Sequence, residues 1–355
     1  MRGLLIAAAA LFATGTAADE EAPGQTEAAV AVPAAPLRVT GSSTVTPYAL
    51  VATSLAAGGD VFVEATGTGA GLAALCGPEA APLAGASRPI TASELAACAD
   101  SGIATVIEVE LGLGAIVLVQ SAGAEPLSLT LTDLYRAAAA RVPAEDCRMV
   151  PNKARAWSAL REGLPDRPIR LYGPPGTSGT RDVLTAKGLA AGARALPCLA
   201  AIERDDPDAF ADALAIRRDG AWVDGGESDG ALAYALTRLP EAVGLVGRVH
   251  ALAQEGLAVL ALGGVHPTAE TIADGRYALA RPLYLYTTAD ALTADPRVRP
   301  VVMAATGAEA VGPSGTLTGM GLAARPGGSG ARLIATADGA ATPIGIGERQ
   351  DDSAR

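Results

Sequence analysis

Between about residues 37 and 325, short apolar runs alternate with longer segments rich in Ala and Leu. Short apolar runs bounded by Gly, Pro or polar residues are typical of buried strands, and the longer segments have helical composition or periodicity. Strands are predicted at 37–39, 61–63, 105–109, 115–119, 169–172, 244–246 and 283–286, and helices at 48–57, 71–74, 128–141, 181–190, 230–239 and 289–291. Strands that alternate with helices predict an α/β chain with mainly parallel sheets flanked by helices.

The N-terminus has the pattern of a secretory signal peptide. Arg2 supplies a positive charge, an apolar run covers 4–12, and small residues follow up to Ala18. The run is far shorter than the roughly 20 apolar residues that span a membrane. We therefore expect residues 1–18 to be a signal peptide, followed by an acidic, Pro/Ala-rich linker at 19–36. The Gly-rich, charged composition of 326–355 predicts a flexible tail.

Length and charge limit the class of protein. A chain of 355 residues is long enough for two lobes or domains. The formal net charge of −11 argues against a nucleic-acid partner, because phosphate backbones are bound by clustered Lys and Arg. It does not exclude a small anion, which a few backbone N–H groups can hold.

The cysteines predict disulfides. Their number is even, four, and export would place them in an oxidising compartment. Three pairings are possible, and the grouping along the chain favours Cys76–Cys98 and Cys147–Cys198, each within one lobe. A zinc site is the alternative, but no C-x-x-C is present and both histidines are distant in sequence. No metal site is expected.

Three segments share one design: a strand, a turn of Gly, Ser and Thr, and the start of a helix. They are 41–47, 66–71 and 173–180. Helix starts carry unpaired N–H groups and partial positive charge, while hydroxyls donate hydrogen bonds to oxyanions. Each segment alone is first of all a helix cap. Three in one chain, two close together and one far away, predict two lobes that close over one oxyanion.

Enzymatic alternatives have weaker support. The second segment lacks the complete G-x-G-x-x-G spacing, no P-loop occurs, and Ser178 does not lie in a G-x-S-x-G elbow. A secreted phosphatase with a serine nucleophile would need a base, and only His250 and His266 are available. We therefore expect no catalytic residues and no cofactor.

The motifs resemble, in order from about residue 38 to 290, the phosphate-binding proteins of ABC phosphate importers. They are Gly-Ser-Ser-Thr-Val-x-Pro at 41–47, Gly-Thr-Gly-x-Gly at 67–71, Ala-Ser-Arg-Pro-Ile at 86–90, Tyr-Gly-Pro-x-Gly-x-Ser-Gly-Thr at 172–180, Gly-Gly-Glu-Ser-Asp at 225–229, Ala-Val-Gly-Leu-Val-Gly at 242–247 and Arg-Pro-Leu at 281–283. The resemblance implies a two-lobed periplasmic-binding-protein fold, with crossing strands near 119–123 and 238–248. Lobe 1 would comprise 37–119 and 245–325, and lobe 2 would comprise 120–244.

The resemblance also implies a ligand set. It consists of Ser43 and Thr44 in the first loop, Thr68 in the second, and Ser178, Gly179 and Thr180 in the third. Two positions depart from well-known relatives, which have Asp where this chain has Arg88 and Arg where it has Pro174. We expect Arg88 to supply the missing charge, with Arg181 as a second candidate. The alternative is that Arg88 bridges to a carboxylate.

The function implied is that of an exported, periplasmic and monomeric solute-binding protein. It would capture inorganic phosphate and deliver it to an ABC permease in the inner membrane, without covalent chemistry. Sulfate or molybdate are the alternative ligands. Glu227 and Asp229 are expected to cap a helix or to form a hinge contact.

Overall fold

The computed structural model describes residues 35–344, except 57–58, 79–80, 326–327 and 329. The predicted signal peptide and all but the end of the predicted linker lie outside the described residues. Within the described part of the chain, no helix is both long enough and apolar enough to cross a membrane.

The strands and helices follow each other in the α/β order that the sequence predicts. The strands are β1 (Leu37–Gly41), β2 (Val61–Glu64), β3 (Leu83–Ala86), β4 (Thr105–Ser121), β5 (Arg141–Pro143), β6 (Met149–Pro151), β7 (Leu171–Gly173), β8 (Trp222–Asp224), β9 (Val243–Gly247), β10 (Leu257–Leu260), β11 (Ala280–Thr288), β12 (Gly330–Ala335) and β13 (Ala341–Ile344). The helices are α1 (Thr46–Leu55), α2 (Thr68–Leu75), α3 (Ala92–Asp100), α4 (Leu131–Ala138), α5 (Gly179–Val183), α6 (Ala190–Arg194), α7 (Pro197–Asp205), α8 (Pro207–Ala213), α9 (Asp229–Leu236), α10 (Arg248–Ala253), α11 (Ala269–Ala273), α12 (Ala289–Ala294), α13 (Val298–Thr306), α14 (Ala308–Val311) and α15 (Thr316–Gly319). A 3₁₀ turn covers Trp157–Ala159, and a π-helical segment, Leu184–Leu189, joins α5 to α6.

The long strand β4 connects two sheets. Its first part pairs with β11 and β12 and belongs to the sheet that continues through β3, β1 and β2. Its second part pairs with β9 and β10 in the sheet that continues through β7 and β8. The register against β11 shifts between Leu283 and Tyr284, which leaves Leu111 as an extra residue in β4. A bulge of this kind bends a strand, so β4 bends where it passes from one sheet to the other.

The two sheets have separate hydrophobic cores, which define two lobes. Lobe 1 packs around residues 37–111 and 283–334, and lobe 2 packs mainly around 115–280. The cores therefore divide at about 111–115 and 280–283, whereas the sequence placed the boundaries at 119/120 and 244/245. The difference arises because the segment 243–279 contains alternating strands and helices, a pattern that is found in both lobes and does not identify either. Only its pairing with the second part of β4 assigns it to lobe 2.

The C-terminal segment forms a hairpin rather than a flexible tail over residues 330–344. Strand β12 pairs with β4 from Gly330 opposite Glu110 to Ala335 opposite Thr105, and β13 pairs with β12. The buried Glu108 carboxylate accepts hydrogen bonds from Arg332 Nε at 2.6 Å and from the Tyr286 hydroxyl at 2.5 Å. The expectation of a flexible tail over 326–355 fails here because the strand pattern of 330–344 depends on a distant partner.

The structure contains the two disulfides that the sequence favoured. Cys76, after α2, is bonded to Cys98 in α3, within lobe 1. Cys147, in the turn between β5 and β6, is bonded to Cys198 in α7, within lobe 2. Each bond therefore links elements of one lobe and does not restrict movement of one lobe against the other.

Removal of the Cys147–Cys198 disulfide by a double change to serine is expected to lower the free energy of unfolding by about 3–4 kcal/mol. The bond spans 51 residues, and closing a loop of that size removes entropy from the unfolded chain. Urea unfolding would measure the loss. Thiol labelling of the denatured, unreduced wild-type protein is the control and should be negligible; four reactive thiols would contradict the pairing.

Candidate functional site

The three Gly/Ser/Thr segments are each a turn between a strand and a helix. They connect β1 to α1, β2 to α2, and β7 to α5. Helices α1 and α2 begin after Val45 and Gly67, and no side chain caps either N-terminus. Helix α5 differs, because the Ser178 hydroxyl accepts a hydrogen bond from the Thr180 N–H at 3.2 Å. The first two helix starts therefore have N–H groups that no cap side chain occupies.

The second and third segments meet across the two lobes. A Cβ built on Gly179 of lobe 2 would lie 2.6 Å from Thr68 Oγ1 and 3.3 Å from Ser87 Oγ, both in lobe 1. Thr68 Oγ1 is 3.2 Å from Ser87 Oγ and accepts a hydrogen bond from the Ser87 N–H. Thr68, Ser87 and Thr180 are all buried. The starts of α2 and α5 are therefore next to each other where the two lobes meet.

A buried arginine lies beside these loops. Arg281, near the start of β11, is 1% exposed. Its Nη2 donates to Thr44 Oγ1 at 3.0 Å and to Thr180 Oγ1 at 2.9 Å, which belong to different lobes. Its Nε and Nη1 are buried without a hydrogen-bond partner. Burial lowers the pKa of Arg281 to about 10, against a smaller opposing effect of nearby Asp229, so the guanidinium is charged at neutral pH.

Arg281 has no role among the residues predicted from the sequence, although it belongs to the Arg-Pro-Leu motif at 281–283. One signal was available: the arginine interrupts an apolar run that continues to Tyr286. A charged residue in a buried strand is rare unless it is paired or functional. Arg281 is buried because both lobes pack around it, and this packing cannot be inferred from the spacing of residues in the sequence.

Asp229 holds the first loop from the opposite lobe. Its Oδ2 accepts hydrogen bonds from Thr44 Oγ1 at 3.1 Å and from the Gly247 N–H at 2.8 Å. Thr44 thus donates to Asp229 and accepts from Arg281. Ser228, not Asp229, is the side chain that caps α9. The nearby Glu227 accepts from Thr177 Oγ1 at 2.6 Å.

Ser43 also lies at this contact between lobes. Its main-chain oxygen is 2.8 Å from His250 Nε2, and its side chain is buried. The structure thus brings Ser43, Thr44, Thr68, Gly179 and Thr180 to the surface where the two lobes meet. Their roles as ligands remain predictions.

Arg88 contacts carboxylates. Its guanidinium donates two hydrogen bonds of 2.8 Å to Glu94, and Nε donates to Asp182 at 3.2 Å. The hydrogen bonds to Glu94 are the main reason that the pKa of Arg88 lies above its usual value. This arrangement corresponds to the alternative, a bridge to carboxylates, rather than to the expected ligand. Because Asp182 belongs to α5, the bridge also joins lobe 1 to lobe 2.

Arg181, the second candidate, is occupied in a similar way. Its Nε donates to the Pro174 oxygen at 2.7 Å, and Nη2 forms an ion pair with Asp224. The guanidinium carbon lies 4.4 Å from the centre of the Trp222 ring. Arg281 differs from both arginines, because two of its buried nitrogens have no hydrogen-bond partner.

Two α/β lobes, between which the chain crosses in β4 and again at the start of β11, with polar helix starts close together at their contact, define a two-lobed binding protein. The chain belongs to the PBP superfamily, since a family model described as a PBP superfamily domain matches residues 16–309.

Known proteins with similar sequences or structures agree with this fold. The protein SphX of Synechococcus elongatus is 26% identical over 234 residues, which cover 64% of this chain and 59% of SphX, less than two thirds of its length. A phosphate ABC transporter substrate-binding protein of Clostridium perfringens, solved with bound phosphate, is 17% identical, and the two structures superpose with a TM-score of 0.58. The match covers 81% of this chain and 98% of the Clostridium chain. A phosphate-binding protein of Stenotrophomonas maltophilia is 15% identical with a TM-score of 0.51, over 75% and 82% of the two chains.

Proposed function

We propose that this protein captures inorganic phosphate between its two lobes and delivers it to an ABC permease. The observation that carries the proposal is the contact between the α2 start of lobe 1 and the α5 start of lobe 2, at buried hydroxyls. Helix starts that face each other across a cleft hold an anion from both sides, so the anion favours the closed arrangement. The names of the similar proteins support phosphate as that anion and an ABC importer as the partner.

The donors at this contact suit a dehydrated oxyanion. Thr180 accepts from Arg281, so its hydroxyl hydrogen is available to a ligand. The Ser178 hydroxyl accepts from the Thr180 N–H and likewise keeps its hydrogen. Hydrogen bonds to a charged acceptor contribute roughly 1.5–3 kcal/mol each, which offsets the cost of removing the anion from water.

Binding without covalent chemistry agrees with the position of the histidine near these loops. The Nε2 of His250 bonds to the main-chain oxygen of Ser43, and no His–Ser hydroxyl hydrogen bond occurs in the described part of the chain. A serine nucleophile would need a base within hydrogen-bonding reach of its hydroxyl. The signal-like N-terminus and the disulfides support export to the periplasm, where we propose that the protein acts as a monomer.

Ser178→Ala and Thr68→Ala are each expected to weaken phosphate binding by about tenfold or more, because each removes one hydroxyl from the anion site. Isothermal titration of the mature protein with phosphate, and separately with sulfate, measures the effect. Thr53→Ala is the matched control, since the Thr53 hydroxyl is bonded to the Ala49 oxygen within α1. Wild-type affinity in both site variants would contradict the proposal. Tighter binding of sulfate than of phosphate would reassign the ligand.

A further inference from the structure

We infer that Arg281 is the cationic ligand of the bound anion, supplied by strand β11 rather than by any of the three loops. The inference rests on the proposed function, because it assigns a residue to the same site. It also explains why the chain can have Pro174 where well-known relatives have an arginine: the charge enters the site from a different element.

The guanidinium of Arg281 lacks most of the partners that a buried charge requires. Arg281 is buried, and two of its three nitrogens have no partner. No carboxylate forms an ion pair with Arg281 among the residues that the structure describes. A buried charge without a partner is strongly unfavourable, so such a group is expected to be completed by something that binds there. A ligand with negatively charged oxygens would satisfy both the charge and the free donors.

Arg281 also lies between the loops of the two lobes. The one paired nitrogen, Nη2, holds the hydroxyls of Thr44 in lobe 1 and Thr180 in lobe 2. These residues belong to the first and third loops. Arg281 therefore lies where the loops from both lobes meet, and an anion bound to its free nitrogens would contact both sides. Asp229 balances part of the charge through Thr44, to which it is hydrogen-bonded.

Arg217 in lobe 2 is buried to a similar degree as Arg281 but has a different set of partners. Arg217 forms two hydrogen bonds to Asp219 and further bonds to the main-chain oxygens of Ala137, Asn152 and Ala154. A structural buried arginine in this protein thus has all its nitrogens paired. Arg281 lacks that arrangement, which distinguishes a ligand-binding role from a structural one.

The test compares Arg281→Met and Arg281→Lys with Arg217→Met. We expect Arg281→Met to lower phosphate affinity by about 100-fold or more, because a buried charged partner is lost. Its melting temperature without phosphate should stay close to that of the wild type, since the buried charge that is removed is only partly balanced by Asp229, and phosphate should no longer raise it. Arg281→Lys should recover part of the affinity. Arg217→Met should melt at a lower temperature but bind phosphate normally.

The outcomes separate this inference from the proposed function. If the wild type binds phosphate and Arg281→Met binds it equally well, Arg281 is not a ligand, although the proposed function stands. A ligand-free Arg281→Met protein that melts far below the wild type and retains affinity would assign Arg281 a structural role. If the wild type binds sulfate or molybdate but not phosphate, and Arg281→Met loses that binding, the ligand role stands and the proposed function fails. A wild type that binds none of these anions overturns both.

Discussion

Gly179→Ala is expected to lower phosphate affinity by roughly 10- to 100-fold while both lobes stay folded. The new Cβ would lie 2.6 Å from Thr68 Oγ1 and 2.8 Å from Thr68 Cβ. Contacts this short force a neighbour to move, and overpacking of this kind costs about 1–3 kcal/mol. Here the neighbour belongs to the opposite lobe, so the least costly movement separates the lobes. The free-energy cost of the new contact therefore lowers the affinity for phosphate and leaves the stability of each lobe unchanged.

Gly176→Ala is the matched control for this change. Gly176 lies in the same loop, but a Cβ built there has no atom within 4 Å. Titration calorimetry should show wild-type affinity for Gly176→Ala, and the two variants should have similar melting temperatures without phosphate. Small-angle scattering of Gly179→Ala with phosphate should give a more open molecule than the wild type. Normal affinity in Gly179→Ala would show that the two lobes do not meet at this point when the ligand is bound.

Deletion of residues 326–355 is expected to lower the free energy of unfolding by about 3–5 kcal/mol. The hairpin β12–β13 covers one edge of β4, and without it the buried Glu108 loses its ion pair with Arg332. Although Arg332 is half exposed, Glu108 is buried and would keep only its hydrogen bond from Tyr286, so loss of the ion pair contributes part of this amount. Exposure of the β4 edge adds to it. Urea unfolding followed by circular dichroism measures the change.

Two further chains identify the cause of this loss. A chain that ends at Ile344 retains β12 and β13 and should be as stable as the full chain. Arg332→Ala in the full chain removes the ion pair alone and should reproduce part of the loss. Equal stability of the full chain and the chain without 326–355 would show that the hairpin does not stabilise lobe 1.

Local sequence chemistry was sufficient to predict the α/β class, the strand–turn–helix form of all three loops and both disulfide pairings. The patterns concerned are short. A run of Gly, Ser and Thr after a strand determines how a helix begins, and Cys98 is near enough to Cys76 for the pairing to be inferred from their grouping. The loops and the Cys76–Cys98 bond depend on residues that are near in the chain, whereas Cys147–Cys198, 51 residues apart, was favoured by the grouping of the four cysteines.

The features that sequence reasoning missed depend on distant segments. Arg281 contacts Thr44, which is 237 residues away, and β12 pairs with a strand more than two hundred residues earlier. Arg88 was favoured as the ligand because it is adjacent to a recognisable motif, whereas its position beside Glu94 and Asp182 is a result of folding. The charge of Arg281 can be read from the sequence, but its burial results from the packing of the two lobes and cannot.

The distribution of the two lobes along the chain determines the order in which they can be completed. Lobe 2 is almost one continuous stretch, so its contacts can form as soon as that stretch is available. Lobe 1 needs β3 beside β11 and β4 beside β12, and these partners are among the first and last segments of the chain. Long-range strand pairing is slow, since the intervening chain loses entropy before any contact stabilises it. We therefore expect lobe 2 to form first during synthesis, and Arg281, which is in β11, to reach its buried position only when lobe 1 is complete.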